Sequence, residues 1–212
     1  MVAAMRREGY AVNGAPADAA AMMDLLQEGP TNAIAGRASR LGGVEWPLAD
    51  YETAFAALPE TMRRAVESRW GKPEQDPHVV AGDFRLGLHR FGGVVVGVQP
   101  ARGYNIDPKS TYHDPDLVPP HHYFAFYLWL RREFGLHSIV HLGKHGNLEW
   151  LPGKSTGLSA DCLPDAVLGP VPHLYPFIVN DPGEGIQAKR RASAVIIDHL
   201  TPPMESAVLM AL

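Results

Sequence analysis

Ser138-Ile139-Val140-His141-Leu142 is a short β-branched run that breaks off into Gly143-Lys144-His145-Gly146-Asn147-Leu148-Glu149-Trp150-Leu151-Pro152-Gly153-Lys154. The apolar run reads as a strand, and the glycines and polar residues after it read as a loop. Ahead of it, Pro119-Pro120 lead into an apolar helix reaching about Phe134 and closed by Gly135. Gly93-Val94-Val95-Val96-Gly97-Val98 reads as an earlier buried strand, and Leu174 to Val179 as a later one. Asp181, Pro182 and Glu184 form a helix start with a capping residue, a first-turn proline and a carboxylate three residues on. That helix is expected to run to about Leu200, before Thr201-Pro202-Pro203. Strand, helix, strand, strand, helix predicts an α/β core.

The first third reads as helical. Asp18 to Glu28 sets Met22, Leu25 and Leu26 on one face and stops at Gly29-Pro30. A second helix is expected over Ala49 to Leu58. A third starts after Pro59, with Met62, Val66 and Trp70 four apart, and ends at Gly71 and Pro73. The polar stretch Gly71 to Pro77 reads as a linker. The expected organisation is a helical segment over 1–72 and an α/β segment over 78–212. Between Pro100 and Pro120 lies a long turn-rich segment, and loops of that length inside a domain are often functional.

Composition narrows the classes. The 212 residues carry 19 basic and 23 acidic side chains, a net charge of −4, which disfavours a general nucleic-acid binder. Hydrophobic residues at 46% and charged ones at 20% are the balance of a folded globular protein. The single cysteine, Cys162, excludes an internal disulfide framework and a Cys-rich zinc module, and favours the cytoplasm. No secretory leader is visible at Met1 to Glu8. The longest apolar run, Tyr123 to Leu130, is far short of the ~20 residues that span a bilayer.

His141, His145 and Glu149 recur four apart. On a helix they would line one face, as in metal sites built from i, i+4 histidines. Gly143 and Gly146 interrupt that reading, so a loop or broken strand is expected, and glycines let such a backbone turn sharply enough to converge the three side chains. The plain alternative is a hydrogen-bonded core histidine at 141 and a surface carboxylate at 149. Gly153-Lys154-Ser155 mimics the tail of a phosphate-binding loop, but Leu148 occupies the position where that motif requires glycine, so nucleotide binding is excluded there. His121-His122 is read as a pair of first-turn surface histidines. Lys189-Arg190-Arg191 is a basic cluster able to meet carboxylates, and Arg102 and Tyr104 are weaker candidates in the long loop.

The run from His141 to Lys154 continues in Leu158-Ser159-Ala160, Leu168-Gly169-Pro170, His173-Leu174-Tyr175-Pro176 and Asn180-Asp181-Pro182-Gly183-Glu184-Gly185. With Gln187-Ala188-Lys189-Arg190-Arg191, Asp198-His199-Leu200-Thr201-Pro202-Pro203 and Val96 to Tyr104, it resembles the large subunit of ATP-dependent cobaltochelatases, the CobN type. The magnesium chelatase large subunit, which acts on protoporphyrin IX, is a related family. Members are several times longer, so the chain is expected to be an internal piece of a larger multidomain subunit, inactive by itself.

The resemblance implies a subunit that binds a corrin-type tetrapyrrole and hosts insertion of Co2+ into hydrogenobyrinic acid a,c-diamide during cobalamin synthesis. ATP and Mg2+ would be used by separate ATPase subunits and not bound here. No nucleic-acid or membrane partner is implied. Chelation needs a base for two N–H protons and donors for a borderline divalent ion, and imidazole and carboxylate supply both. His141, His145 and Glu149 are therefore the expected metal-handling and proton-accepting group. Lys144, Lys154, Arg102 and Arg190 are the expected partners of substrate carboxylates. The rival readings are a magnesium-type reaction, a metal-dependent hydrolase using the same His, His and Glu, and a tetrapyrrole-binding module without catalysis.

Overall fold

Asp18 starts the first long helix as its side-chain chemistry predicts. Its carboxylate accepts a hydrogen bond from the Ala21 N–H at 2.9 Å, and the helix runs Ala19–Glu28 with Leu26 inward. The computed structural model describes residues 1–33, 39–104, 114–143, 146–176 and 182–198. A short helix, Val2–Arg7, precedes the capped one. The chain forms two compact units, Met1–Gly135 and Leu136–Leu212, and the segment 71–77, expected as a linker, lies inside the first. There Pro73–Gln75 make one turn of 3-10 helix, and both Pro73 and Asp76 are buried.

The first unit mixes helix with strand. Helices Leu48–Ala56 and Glu60–Trp70 form as expected, with Pro59 standing just before the second. Their spaced apolar residues Tyr51, Phe55, Met62 and Val66 are buried. They do not form a separate helical segment, because three strands share their core. Strands β1 (Val44–Pro47), β2 (Val79–Val80) and β3 (Asp83–Leu86) make an antiparallel sheet in the order β1-β3-β2. Tyr51 lies 4.7 Å from Phe84 and 5.8 Å from Trp46 between ring centroids, so the helix packs aromatic rings on that sheet. Strands β4 (Leu88–Phe91) and β5 (Val94–Gly97) form a second, two-stranded antiparallel pair. The valine run 94–96 is thus a hairpin strand, half-buried rather than sealed on both faces.

His121 and His122 open the helix His121–Trp129, and every residue of that helix is buried. The expectation of surface histidines is therefore corrected: they are 1% and 6% exposed. Tyr51 donates its hydroxyl hydrogen to His121 Nδ1 at 2.7 Å, while His121 Nε2 donates to the Gly71 carbonyl at 3.0 Å. His122 stacks on His78 with ring centroids 3.6 Å apart, and its Nε2 donates to the Arg85 carbonyl. The Asp76 carboxylate accepts from the backbone N–H groups of His78 and His122 and from the Tyr104 hydroxyl. These bonds make Asp76 the hub that joins three segments, and they explain why 71–77 is ordered. Beyond Trp129 the helix widens into a π turn, Leu130–Phe134, closed by Gly135 in the left-handed region.

The second unit holds a parallel sheet of β6 (Ile139–Val140), β7 (His173–Pro176) and β8 (Ala194–Ile197), ordered β6-β7-β8. Helix Leu163–Leu168 lies between β6 and β7, and helix Pro182–Arg191 connects β7 to β8. Parallel neighbours joined through helices are the α/β arrangement expected from the order of elements. The last helix ends at Arg191, short of the expected run to about Leu200. Ser193 takes a left-handed conformation (φ 48°), and Ala194-Val195-Ile196-Ile197 pairs with β7. Valine and isoleucine are stiff side chains that pack well on a pleated surface, and pairing with β7 outweighs continued helix. The expected cap Asp181 and the end of the expected third strand, 177–179, lie outside the described residues.

Candidate metal-handling site

Residue His141 stands at the carboxyl end of β6, and its N–H extends the ladder by donating to the Leu174 carbonyl at 2.8 Å. Strand ends of this kind are where α/β proteins place ligands. His173 and Tyr175 alternate onto the buried face of β7. Three rings then meet. His141 lies edge-on to His173 at 5.0 Å between centroids, His173 stacks with Tyr175 at 5.3 Å, and His141 lies 5.3 Å from Tyr175. His141 Nδ1 and His173 Nε2 are 3.1 Å apart, and His173 Nδ1 is 3.3 Å from the Ala192 carbonyl. Burial, with His173 beside it, lowers the pKa of the His141 imidazole to about 3. Burial also lowers that of His173. Both rings are therefore neutral near pH 7, the form in which imidazole binds metals.

Residue Glu149 sits in a 3-10 turn, Leu148–Trp150, and is 0% exposed. Tyr175 donates its hydroxyl hydrogen to Glu149 Oε1 at 3.1 Å, and the same hydroxyl accepts from the Gly146 N–H. Arg191, also buried, holds the loop from the other side. Its Nη1 donates to the Glu149 carbonyl at 2.7 Å, Nη2 to the Leu151 carbonyl at 2.5 Å and Nε to the Lys154 carbonyl at 3.1 Å. One rigid guanidinium thus fixes three backbone groups of the loop. Cys162 anchors the loop's far end, where its Sγ accepts from the Lys154 and Ser159 N–H groups at 3.3 Å each. Burial pushes the thiol up, but the Ser159 and Lys154 hydrogen bonds outweigh it and leave the thiol below its ordinary value. Gly153 is required at this contact, since a Cβ there would stand 3.0 Å from the Cys162 Cα.

Two of the expected residues meet through a third. His141 and Glu149 both touch Tyr175, one by its ring and one by its carboxylate. His145 and Lys144 lie outside the described residues. The side chains of Lys154 and Arg190 are exposed. Arg102 belongs to the first unit, where it is buried and its Nη1 lies 3.4 Å from the Asp114 carbonyl. Among the described residues, no three His, Cys, Asp or Glu side chains gather as a metal-ligating group. Sequence reasoning missed His173 and Tyr175, and read Arg191 only as part of a basic cluster able to meet carboxylates, where it in fact clamps loop carbonyls. The alternation of His173 and Tyr175 along a strand was a usable signal. So was the spacing of Gly185, Ala188 and Arg191, three apart on one helix face, which leaves Arg190 on another.

Residues 1–211 match the model of the CobN/Magnesium Chelatase family. The chain is 59% identical over 207 residues to the aerobic cobaltochelatase subunit CobN of Sinorhizobium sp, a match covering 98% of this chain and 16% of that protein. It is 54% identical over 204 residues to the CobN subunit of Pseudomonas aeruginosa, covering 96% and 16%. Against the magnesium-chelatase H subunit of Cereibacter sphaeroides the identity is 37% over 215 residues, covering 97% and 17%. The fold is similar to the catalytic subunit of cobaltochelatase from Mycobacterium tuberculosis, with a TM-score of 0.78 and 41% identity over 100% of this chain and 20% of that one. The chain belongs to the CobN/magnesium chelatase family. It spans 16% of the length of the two CobN relatives.

Proposed function

We propose that the chain is part of the tetrapyrrole-binding, metal-inserting subunit of a cobaltochelatase, which places Co2+ in hydrogenobyrinic acid a,c-diamide during cobalamin biosynthesis. The observation that carries this reading is Tyr175, whose ring packs on the neutral imidazole of His141 while its hydroxyl bonds the carboxylate of Glu149. Imidazole is a good donor for a borderline divalent ion. A carboxylate held beside it compensates charge and takes up one of the two protons released as the metal replaces the inner N–H hydrogens of the macrocycle, the other passing to solvent water. In this reading His141 and His145 receive Co2+ as it sheds water, and Glu149 is the base. Lys144, Lys154 and Arg190 pair with substrate carboxylates.

Separate ATPase subunits, with their own ATP and Mg2+, drive the cycle in the cytoplasm. No described helix is long and apolar enough to cross a membrane. The magnesium reaction on protoporphyrin IX is the second reading, and the higher identity to CobN proteins, 59% against 37%, favours cobalt. The test is an absorbance titration of the full-length subunit with hydrogenobyrinic acid a,c-diamide, followed by Co2+ and the ATPase subunits. Binding followed by the spectrum of the cobalt product supports the proposal. Binding without insertion in the complete complex identifies a non-catalytic module instead.

A further inference from the structure

We propose that His173 is a positioning residue that sets the tautomer of His141 and so decides which of its nitrogens is offered to the metal. The inference rests on the metal-receiving role proposed for His141 and deepens it. The Ala192 carbonyl can only accept, so His173 Nδ1, 3.3 Å away, carries the hydrogen. A neutral imidazole has one N–H, so His173 Nε2 is an acceptor. His141 Nδ1, 3.1 Å from it, must then donate. The lone pair of His141 is left on Nε2, the nitrogen able to bind a divalent cation.

The chain of bonds is fixed at both ends. Ala192 lies between the helix Pro182–Arg191 and β8, and His173 is 1% exposed and stacked on Tyr175 at 22° between ring planes. Neither ring can turn over without leaving a buried donor facing a donor, or an acceptor facing an acceptor. Metal-ligating histidines commonly have their second nitrogen fixed by such a partner, and its loss lowers metal affinity about 10–100-fold. Here the partner is another imidazole, anchored in turn to backbone.

The experiment uses the full-length subunit assembled with its ATPase subunits, with hydrogenobyrinic acid a,c-diamide and Co2+. His173→Leu, His173→Gln and His141→Ala are compared, each with its thermal unfolding midpoint. Glutamine keeps an amide oxygen to accept from His141 Nδ1, and leucine does not. The expected result is a KM for Co2+ raised about tenfold or more in His173→Leu, with the KM for the tetrapyrrole unchanged, and rescue to within about threefold of wild type in His173→Gln. Wild-type KM for Co2+ in His173→Leu, while His141→Ala loses insertion, overturns the positioning role and leaves the role of His141 standing. Normal insertion by His141→Ala overturns the reading beneath it. If His173→Leu does not fold, His173→Gln decides: a KM for Co2+ within about threefold of wild type supports the proposal, and a rise of about tenfold overturns it.

Discussion

Tyr175 and Glu149 are joined by a 3.1 Å hydrogen bond although 26 residues separate them, and that bond ties the candidate catalytic loop to the middle of the parallel sheet. Removing the hydroxyl should therefore act on the loop as well as on the sheet. Tyr175→Phe leaves a buried carboxylate oxygen and the Gly146 N–H without this partner. A loss of about 1–3 kcal/mol in unfolding free energy is expected, measured by urea denaturation, together with slower metal insertion. Unchanged stability would mean that the hydroxyl is not a structural tie.

The neighbours Arg190 and Arg191 should behave oppositely. Arg191 gives its hydrogens to three carbonyls of the loop, while the Arg190 side chain is exposed. Arg191→Met should cost on the order of 2–4 kcal/mol and open the loop to limited proteolysis near Gly153. Arg190→Ala should shift stability by less than about 0.5 kcal/mol, and a binding assay for the tetrapyrrole then reads its proposed contact with substrate separately.

Acid should destabilise the second unit through its paired histidines. The His141 pKa falls from the ordinary 6.5 to about 3, because burial and His173 disfavour its charged form. The unfolded chain takes up a proton below about pH 6.5, and the folded chain does so only near pH 3. This stabilisation is therefore fully present above pH 6.5 and is lost as pH falls toward 3. His173 is shifted in the same direction. Unfolding free energy measured against pH should decline across that window, and His141→Gln should flatten the decline. An equally steep decline in the variant would assign it to other groups.

In the first unit, Asp76→Ala should be among the most damaging polar substitutions. It removes the acceptor for two backbone N–H groups and for Tyr104, a residue held in the left-handed region at φ 58°. A loss of about 3 kcal/mol or more is expected, together with reduced near-ultraviolet circular dichroism from the aromatic cluster around Trp70 and Tyr104. A near-neutral effect would show that the Asp76 hub does not organise this unit.

Local signals were legible where one residue decides them. Asp18, Pro59 and Gly135 each mark a helix boundary through capping or restricted backbone geometry, and the structure keeps all three. Non-local pairing was not legible. Residues Val44–Pro47 become strand only because they pair with Asp83–Leu86, and Ala194–Ile197 only because β7 lies beside them. The site divides in the same way. His141 and Glu149 stood out by spacing from each other. His173, Tyr175 and Arg191 act from 20 or more residues away, through hydrogen bonds that only the folded sheet creates. The histidines at 121 and 122 misled because helix-start position alone does not show what covers them.

In the proposed reaction Glu149, held by Tyr175, takes up a proton as cobalt enters the macrocycle. The direct measurement is single-turnover Co2+ insertion into hydrogenobyrinic acid a,c-diamide by the full-length Glu149→Gln subunit with its ATPase partners, alongside a binding titration for the tetrapyrrole. Insertion should slow at least about a hundredfold, the scale of a lost general base, with binding retained. Insertion at the wild-type rate would contradict that role.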